Sequence, residues 1–134
     1  MNKKSTILNE IKKEGYPHKE VAVSLETFFE GNNDFSSIGV NLYPHQPSPQ
    51  EFYSVFKKIK SSPKTENIFV RISDSDDGDW FYTDAVYVVG NWTKDEIKEA
   101  VKDIQPDEIY DEWMYGKPVN IPETTGKVFS IWWD

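Results

Sequence analysis

The densest group of possible cation ligands in the chain is an acidic run at residues 74–79. Its carboxylates belong to Asp74, Asp76, Asp77 and Asp79. Calcium prefers several oxygen ligands at once, and an EF-hand loop supplies them with Gly at position 6 and Glu at position 12. Counting from Asp74 puts Gly78 at position 5, and counting from Ser73 puts Asp84 at position 12, so neither register fits. We therefore interpret the run as a turn between two strands, with cation binding and contact with a partner as the alternatives.

Two further kinds of side chain could carry acid–base chemistry. Asp84 lies within a run of strand-forming residues, where an acid must reach solvent at a sheet edge or pair with a cation such as Arg71, the only arginine in the sequence. We predict the ion pair rather than a catalytic role. His18 and His45 each follow a proline in a predicted loop, and their spacing matches no metal-binding helix motif. We interpret both histidines as surface residues.

Motifs of established enzyme classes are missing from the sequence. It contains no nucleophile elbow, no P-loop and no dinucleotide-binding glycine motif. It also contains no cysteine, which excludes thiol nucleophiles, disulfides and cysteine-ligated zinc. We assign no catalytic residue, no cofactor and no metal, and keep a small hydrolase that uses Asp84 with one of the histidines as an alternative.

Aromatic residues are frequent, with five Trp, seven Tyr and eight Phe. Residues 107–115 interleave acids with large aromatic side chains. Aromatic side chains supply much of the binding energy at protein interfaces, and negative charge steers a basic partner. Trp132 and Trp133 are adjacent in a predicted strand, so they must point to opposite faces of the sheet. A regulatory domain that binds a small molecule in an aromatic pocket is a second alternative.

Charge is unevenly distributed along the 134 residues, whose net charge is −8. Residues 64–134 carry 7 basic and 16 acidic side chains, a net charge of −9, while residues 1–63 are nearly neutral. Negative charge repels polyphosphate, which disfavours nucleic acid as a partner. The sequence has no apolar run long enough to span a membrane and no signal-peptide pattern. We therefore expect a soluble, cytoplasmic protein with no membrane partner.

Three segments have the pattern of helices. Residues 48–60 begin with a Ser-Pro-Gln-Glu capping box and repeat apolar residues at helical spacing. Residues 93–104 begin with a second capping box, Thr-Lys-Asp-Glu, and continue with the same spacing. A shorter helix is predicted over residues 5–14, ending at Gly15.

Alternation of apolar residues predicts the strands. Residues 21–29 and 38–42 alternate on either side of a Gly-Asn-Asn-Asp turn, which predicts a first hairpin. Residues 67–73 and 80–89 predict a second hairpin around the acidic run, and residues 127–133 predict a last strand. The order αββαββαβ indicates a single compact α+β domain that spans the chain. We expect a sheet of about five strands, antiparallel or mixed, with helices packed on at least one face.

The C-terminal third of the chain resembles a group of small, uncharacterised bacterial proteins. The resemblance covers residues 80–134 and is carried by residues 84–89, 93–97 and 105–109, by Trp113 and by the final Trp-Trp-Asp. Small acidic domains of this kind are similar to the immunity proteins of bacterial polymorphic toxin systems. That resemblance implies neutralisation of a toxin, often a basic nuclease, by direct contact. It identifies no family site that can be transferred to this chain.

These observations together favour a non-enzymatic acidic binding protein whose partner is basic, such as a toxin domain. The predicted contact residues lie in the acidic run and in the segment after the last predicted helix. They are Asp74, Asp76, Asp77, Asp79, Asp107, Glu108, Asp111, Glu112 and Trp113.

Overall fold

The computed structural model describes residues 2–75 and 78–134, which form a five-stranded antiparallel sheet with helices packed on one face. The helices are α1 (Lys3–Lys13), α2 (Leu25–Phe29), α3 (Pro49–Lys60) and α4 (Lys94–Ala100). The strands are β1 (Ala22–Ser24), β2 (Thr65–Arg71), β3 (Ala85–Gly90), β4 (Glu108–Asp111) and β5 (Lys127–Trp132). The predicted α+β class and the predicted single compact domain are confirmed.

Strand order in the sheet is β1-β2-β3-β5-β4, and every neighbouring pair is antiparallel. All six residues of the central strand β3 are buried, as expected for a strand covered on both faces. Strands β2 and β3 pair with Ile68 opposite Val88, so the predicted second hairpin is confirmed. Its second strand begins at Ala85 and not, as predicted, at residue 80. The two edges of the sheet are therefore formed by β1 and β4.

The two helices with predicted capping boxes begin where the sequence indicates. At the start of α3, the Ser48 hydroxyl accepts the backbone N–H of Glu51, and the Glu51 carboxylate accepts the backbone N–H of Ser48. Thr93 and Glu96 make the same reciprocal pair at the start of α4. Each pair satisfies two backbone donors that the first helical turn leaves without partners.

The predicted first hairpin is wrong, because its first strand is shortened to β1 and its second strand does not form. Strand β1 stops after three residues, and α2 follows because the Ser24 hydroxyl accepts the backbone N–H of Thr27 at 3.1 Å and caps the helix. The alternating residues 38–42 form a loop and a short 3₁₀ turn, since Gly39 adopts a positive φ of 68°. The fifth strand of the sheet is instead β4, which the sequence pattern does not predict.

The two faces of the sheet are covered in different ways. The helix face holds the larger core, in which the Trp133 ring lies 5.4 Å from the ring of Phe52. The other face, which we call the loop face, is covered by residues 112–126, the covering segment. Its cluster contains Ala22, Phe69, Tyr87, Val89 and Val128, with Trp113, Met114 and Ile121 packed against them.

The adjacent tryptophans at the end of the chain lie on opposite faces, as predicted. Trp133 is fully buried on the helix face, and Trp132 is half-buried on the loop face, 6.3 Å from the ring of Tyr110. Among the helices of the described residues, none is both long and apolar enough to cross a bilayer.

Candidate partner-binding surface

The end of the acidic run forms one wall of an open cleft of about 520 Å³. Residues 78–80 line this wall, and residues 31–36 line the opposite wall. Asp79 is exposed in the first wall. In the second wall, the Asp34 carboxylate accepts the backbone N–H of Ser36 at 2.9 Å and its hydroxyl at 2.6 Å. The cleft therefore presents one carboxylate from each wall.

Asp74 lies in the turn between β2 and β3, and its side chain is exposed. Its backbone forms an isolated bridge with Tyr82, with N–H to carbonyl distances of 3.2 and 2.9 Å. Two other predicted contact residues, Asp76 and Asp77, lie outside the described residues. Within residues 2–75 and 78–134, no three histidine, aspartate or glutamate side chains are grouped so that they could hold a metal ion.

The loop between α2 and α3 exposes three large apolar side chains. Their exposed fractions are 49% for Phe35, 37% for Val40 and 78% for Tyr43. Ile38 and Leu42 of the same loop pack against the core. The loop is therefore fixed to the domain by these two side chains while it exposes the other three to solvent. We call residues 35–43 the aromatic loop. The sequence pattern does not reveal it, because the apolar alternation within it also fits a strand; the signal against a strand is Gly39.

The aromatic loop contacts the chain beside both predicted acidic segments. The Ser37 carbonyl accepts the backbone N–H of Thr83 at 2.8 Å, close to the end of the acidic run. At the other end of the loop, the Asn41 side chain donates to the Asp107 carboxylate at 2.7 Å. The same carboxylate accepts the backbone N–H of Asp134 at 2.8 Å. The loop thus connects two acidic segments that lie far apart in the sequence.

The second acidic segment contains edge strand β4. Its exposed carboxylates are those of Asp107, Glu108, Asp111 and Glu112. The Lys94 ammonium lies 3.8 Å from the Asp111 carboxylate, with both side chains open to solvent, so the pair contributes little energy. Trp113, also a predicted contact residue, is half-buried and packs edge-on against Tyr87, with ring centroids 4.9 Å apart.

A polar cluster holds the covering segment against the sheet. Arg71 donates to Glu20 from Nε and Nη2, at 2.7 and 3.0 Å, and to Asp84 from Nη1 at 2.9 Å. The Tyr115 ring lies 3.6 Å from the guanidinium, and its hydroxyl donates to Asp84. The predicted Arg71–Asp84 ion pair is confirmed. Glu20 lies 51 residues from Arg71, so no local pattern indicates its part in the cluster.

The pKa values in this cluster follow from burial and from its internal bonds. Burial alone would lower the pKa of Arg71, but the hydrogen bonds and charges of Glu20 and Asp84 outweigh it and raise the pKa above its ordinary value. Burial, together with the bond to Asp84, raises the pKa of Tyr115 to about 12. Arg71 therefore stays charged and Tyr115 stays protonated at neutral pH. We infer that the cluster has a structural role.

Neither histidine is a hydrogen-bond partner of Asp84, whose carboxylate binds Arg71, Ser73, Tyr115 and Trp132. His18 and His45 are both exposed, in separate loops. A hydrolase would need one of them beside Asp84 in a concave pocket. A groove of about 540 Å³ between α3 and α4 contains a single aromatic side chain, Trp92.

Comparison with known proteins identifies one family. The model of the family described as "Uncharacterized protein YfbO family" matches residues 2–131. The chain is 34% identical over 116 residues to "Uncharacterized protein YfbO" of Escherichia coli (strain K12), an alignment that covers 84% of this chain and 81% of that protein. No solved structure matches the chain. The predicted resemblance to an uncharacterised bacterial family is confirmed.

Proposed function

We propose that this chain, which belongs to the YfbO family of uncharacterised proteins, is a non-enzymatic protein-binding domain with a basic partner. Its binding surface, the acidic–aromatic surface, combines the aromatic loop with the carboxylates on either side of it. The surface contains Asp34, Phe35, Val40, Tyr43, Asp74, Asp79, Asp107 and Glu108.

The exposure of the aromatic loop is the observation that supports this proposal most directly. Side chains as exposed as Tyr43 and Phe35 gain little free energy from burial in the folded chain. Buried against a partner, aromatic anchors of this kind commonly provide the largest contributions to binding. Carboxylates beside such anchors orient a positively charged partner and accelerate its association.

Charge at the cleft is mixed. Two lysines contact the wall formed by the end of the acidic run. The Lys3 ammonium lies 5.6 Å from the centre of the Trp80 ring, and the Lys4 ammonium donates to the Gly78 carbonyl at 3.1 Å. Both ammonium groups keep their charge in these contacts and offset part of the negative charge of Asp34 and Asp79. The basic partner is therefore inferred from the net charge of −8 and from the exposed acids of the β4 segment.

In its most specific form, the proposal is that the chain is an immunity protein that neutralises a basic bacterial toxin by covering it. The net charge of −8 supports this form, because the toxins bound by such proteins are often basic nucleases. Occlusion requires an adhesive surface and no catalytic group. The acidic–aromatic surface meets that requirement.

Photo-crosslinking in the source bacterium tests the general proposal. A photoreactive phenylalanine analogue replaces Tyr43 in one strain, and in a control strain it replaces Val119, which is apolar and 54% exposed but lies in the covering segment. We expect crosslinks from position 43 to one basic protein and no such crosslinks from position 119. Identical crosslinks from both positions, or crosslinks to acidic proteins alone, would contradict the proposal.

Calorimetric titration tests the toxin-neutralising form. The purified chain is titrated with the protein encoded by the neighbouring gene, at low and at high salt. We expect binding that weakens as salt rises, because the Debye length falls from about 10 Å at 0.1 M to about 3 Å at 1 M. An absence of binding would refute the neutralisation of that protein. Binding that is indifferent to salt would refute electrostatic steering by the acidic–aromatic surface.

A further inference from the structure

The two edges of the sheet differ in how they are covered. At the β1 edge, the Asn120 side chain donates to the Ala22 carbonyl at 2.7 Å and accepts its N–H at 3.0 Å. Next to it, Val119 donates its N–H to the Glu20 carbonyl at 2.9 Å. The covering segment thus occupies the outward hydrogen-bonding groups of Ala22, the first residue of β1. At the opposite edge, β4 pairs with β5 alone among the described strands.

The register of β4 determines which of its backbone groups face outward. Glu112 donates its N–H to the Val128 carbonyl at 2.9 Å, in the register of the β4–β5 ladder. Hydrogen-bonded positions alternate along an antiparallel pair, so Tyr110 also turns its backbone groups towards β5. The N–H and C=O groups of Ile109 and Asp111 therefore point away from the sheet. Such a row of groups can accept an added strand.

The loop face beside β4 carries an aromatic patch. Tyr110 is 40% exposed and Tyr115 is 37% exposed, and Trp132 lies half-buried beside Tyr110. Side chains of neighbouring antiparallel strands pack directly against one another on each face. A strand added to β4 would place every second side chain near this patch. The edge thus offers apolar contacts as well as backbone hydrogen bonds.

Space for an incoming chain exists at the start of β4. A cleft of about 320 Å³ lies there, lined by residues 105–109 and by two lysines after the start of α4, Lys98 and Lys102. Lys102 is paired with Glu99 at 2.6 Å, so its charge is partly neutralised within the chain. The strand itself, Glu108–Asp111, has an acid at each end and no base.

Charge identifies the kind of segment that fits this edge. The exposed acids of the edge are Asp107, Glu108, Asp111 and Glu112. They outnumber the bases beside them, which are Lys94, 3.8 Å from Asp111, and the two lysines of the cleft. A second copy of this chain would bring the same acids against them, and like charges on facing edges oppose pairing. We propose that the free edge of β4 binds an extended, basic segment of the partner protein as an added strand. This inference rests on the protein-binding function proposed above and gives its mode of binding.

A synthetic peptide that alternates lysine with valine and tyrosine serves as the probe. Amide hydrogen exchange of the ¹⁵N-labelled chain is measured by NMR with and without the peptide at millimolar concentration. We expect the Ile109 and Asp111 amides to exchange at least tenfold more slowly with the peptide, while the Ala22 amide, already bonded to Asn120, changes less than twofold. Unchanged exchange at both edge amides would overturn the proposal.

Matched peptides separate strand addition from attraction by charge alone. Two versions of the peptide carry N-methyl groups on alternate backbone nitrogens. One version is methylated at the odd-numbered residues and the other at the even-numbered residues. A third peptide replaces every lysine with glutamate. Strand addition predicts that one N-methylated version and the glutamate version lose the protection of Ile109 and Asp111. Equal protection by both N-methylated versions would overturn the proposal, because the version methylated on the nitrogens that face β4 cannot form the ladder.

Variants of the chain test the charge requirement. The double variant Glu108→Lys/Glu112→Lys should weaken binding of the lysine peptide at least tenfold. The control Glu123→Lys changes a side chain that is 95% exposed in the covering segment and should change binding less than twofold. Equal loss in both variants would overturn the proposal.

The outcomes for the two proposals are separable. The peptide experiment involves neither Tyr43 nor the natural partner. Failure of edge protection with intact crosslinking from Tyr43 refutes strand addition and leaves the protein-binding function standing. Dimers in which the edge amides of β4 exchange slowly without peptide would also overturn the inference, because the edge would then bind a second copy of this chain.

Discussion

Replacing Arg71 with methionine removes the cation that joins β2 to Glu20 before β1, to Asp84 before β3 and to Tyr115 of the covering segment. Its side chain is 15% exposed, and those of its partners Asp84 and Glu20 are 17% and 31% exposed, so solvent screens the cluster less than it screens a surface pair. The variant leaves two carboxylates without their shared cation. It also removes the surface on which the Tyr115 ring lies.

The expected loss of stability follows from the groups that remain. Removing one partner of a buried ion pair costs about 3–5 kcal/mol. Asp84 keeps donors from Ser73, Tyr115 and Trp132, which places the cost at the lower end, about 3 kcal/mol. For a chain of 134 residues this corresponds to a fall in Tm of about 10 °C.

Urea unfolding followed by tryptophan fluorescence measures this cost, with Lys60→Met as the control. Lys60 and Glu26 are 2.8 Å apart, but their side chains are 37% and 43% exposed, so we expect the control to lose less than about 1 kcal/mol. The double variant Arg71→Met/Asp84→Leu should lose about 1–3 kcal/mol less than the sum of the single variants, because the two residues are in contact. An Arg71→Met variant as stable as the control, or strictly additive losses, would refute the structural role of the cluster.

Three further substitutions test contacts of the covering segment. Asn120→Ala removes two hydrogen bonds that close the β1 edge and should lower the free energy of unfolding in urea by about 2 kcal/mol. The control Asn33→Ala, at an exposed residue, should lower it by less than about 0.5 kcal/mol. Equal losses in the two variants would contradict the claim that Asn120 closes this edge. The pKa of Tyr115 is raised to about 12 from its ordinary value of 10.0, so its proton stabilises the folded state fully below pH 10 and this contribution disappears between pH 10 and 12. The stability of Tyr115→Phe should therefore fall less steeply between pH 10 and 12 than that of the unaltered chain. If the urea midpoints of the two proteins fall equally with pH, the raised pKa of Tyr115 is contradicted. Backbone N–H groups at Thr125 and the next residue lower the pKa of Glu66, so its stabilising effect is present above pH 4.5 and is lost as the pH falls through the lowered value. NMR titration should show that lowered pKa, and Glu66→Gln should speed exchange of the Thr125 amide; an ordinary pKa or unchanged exchange would count against the contact.

The parts of the fold that the sequence predicts correctly are those set by local chemistry. Capping boxes at Ser48 and Thr93 mark α3 and α4, because the side chains that form them lie within one turn of each other. The Arg71–Asp84 pair is also predictable, since an acid within a run of strand-forming residues needs a cation or solvent and the chain has one arginine. The capping boxes and the ion pair each involve few residues, and the sequence offers few other partners for them.

The incorrect predictions arise where tertiary contacts decide between two local patterns. Leu25 and Phe29 fit a strand by their alternation and a helix by their spacing of four, and the cap at Ser24 selects the helix. Strand β4 is short and rich in acids, so its existence depends on the partner strand β5 rather than on its own residues. The aromatic loop likewise has a pattern that fits a strand, and its conformation depends on contacts with distant parts of the chain. The sequence therefore indicates the acidic segments beside it but not its exposed apolar side chains.

The affinity of the partner captured from position 43 tests the central claim most directly. Its Kd is measured by titration for the unaltered chain, for Tyr43→Ser and for the control Val119→Ser. A binding hot spot contributes at least about 2 kcal/mol, so Tyr43→Ser should weaken binding about 30-fold or more. The control should change the Kd less than twofold. Equal affinities for all three proteins would contradict binding through the acidic–aromatic surface.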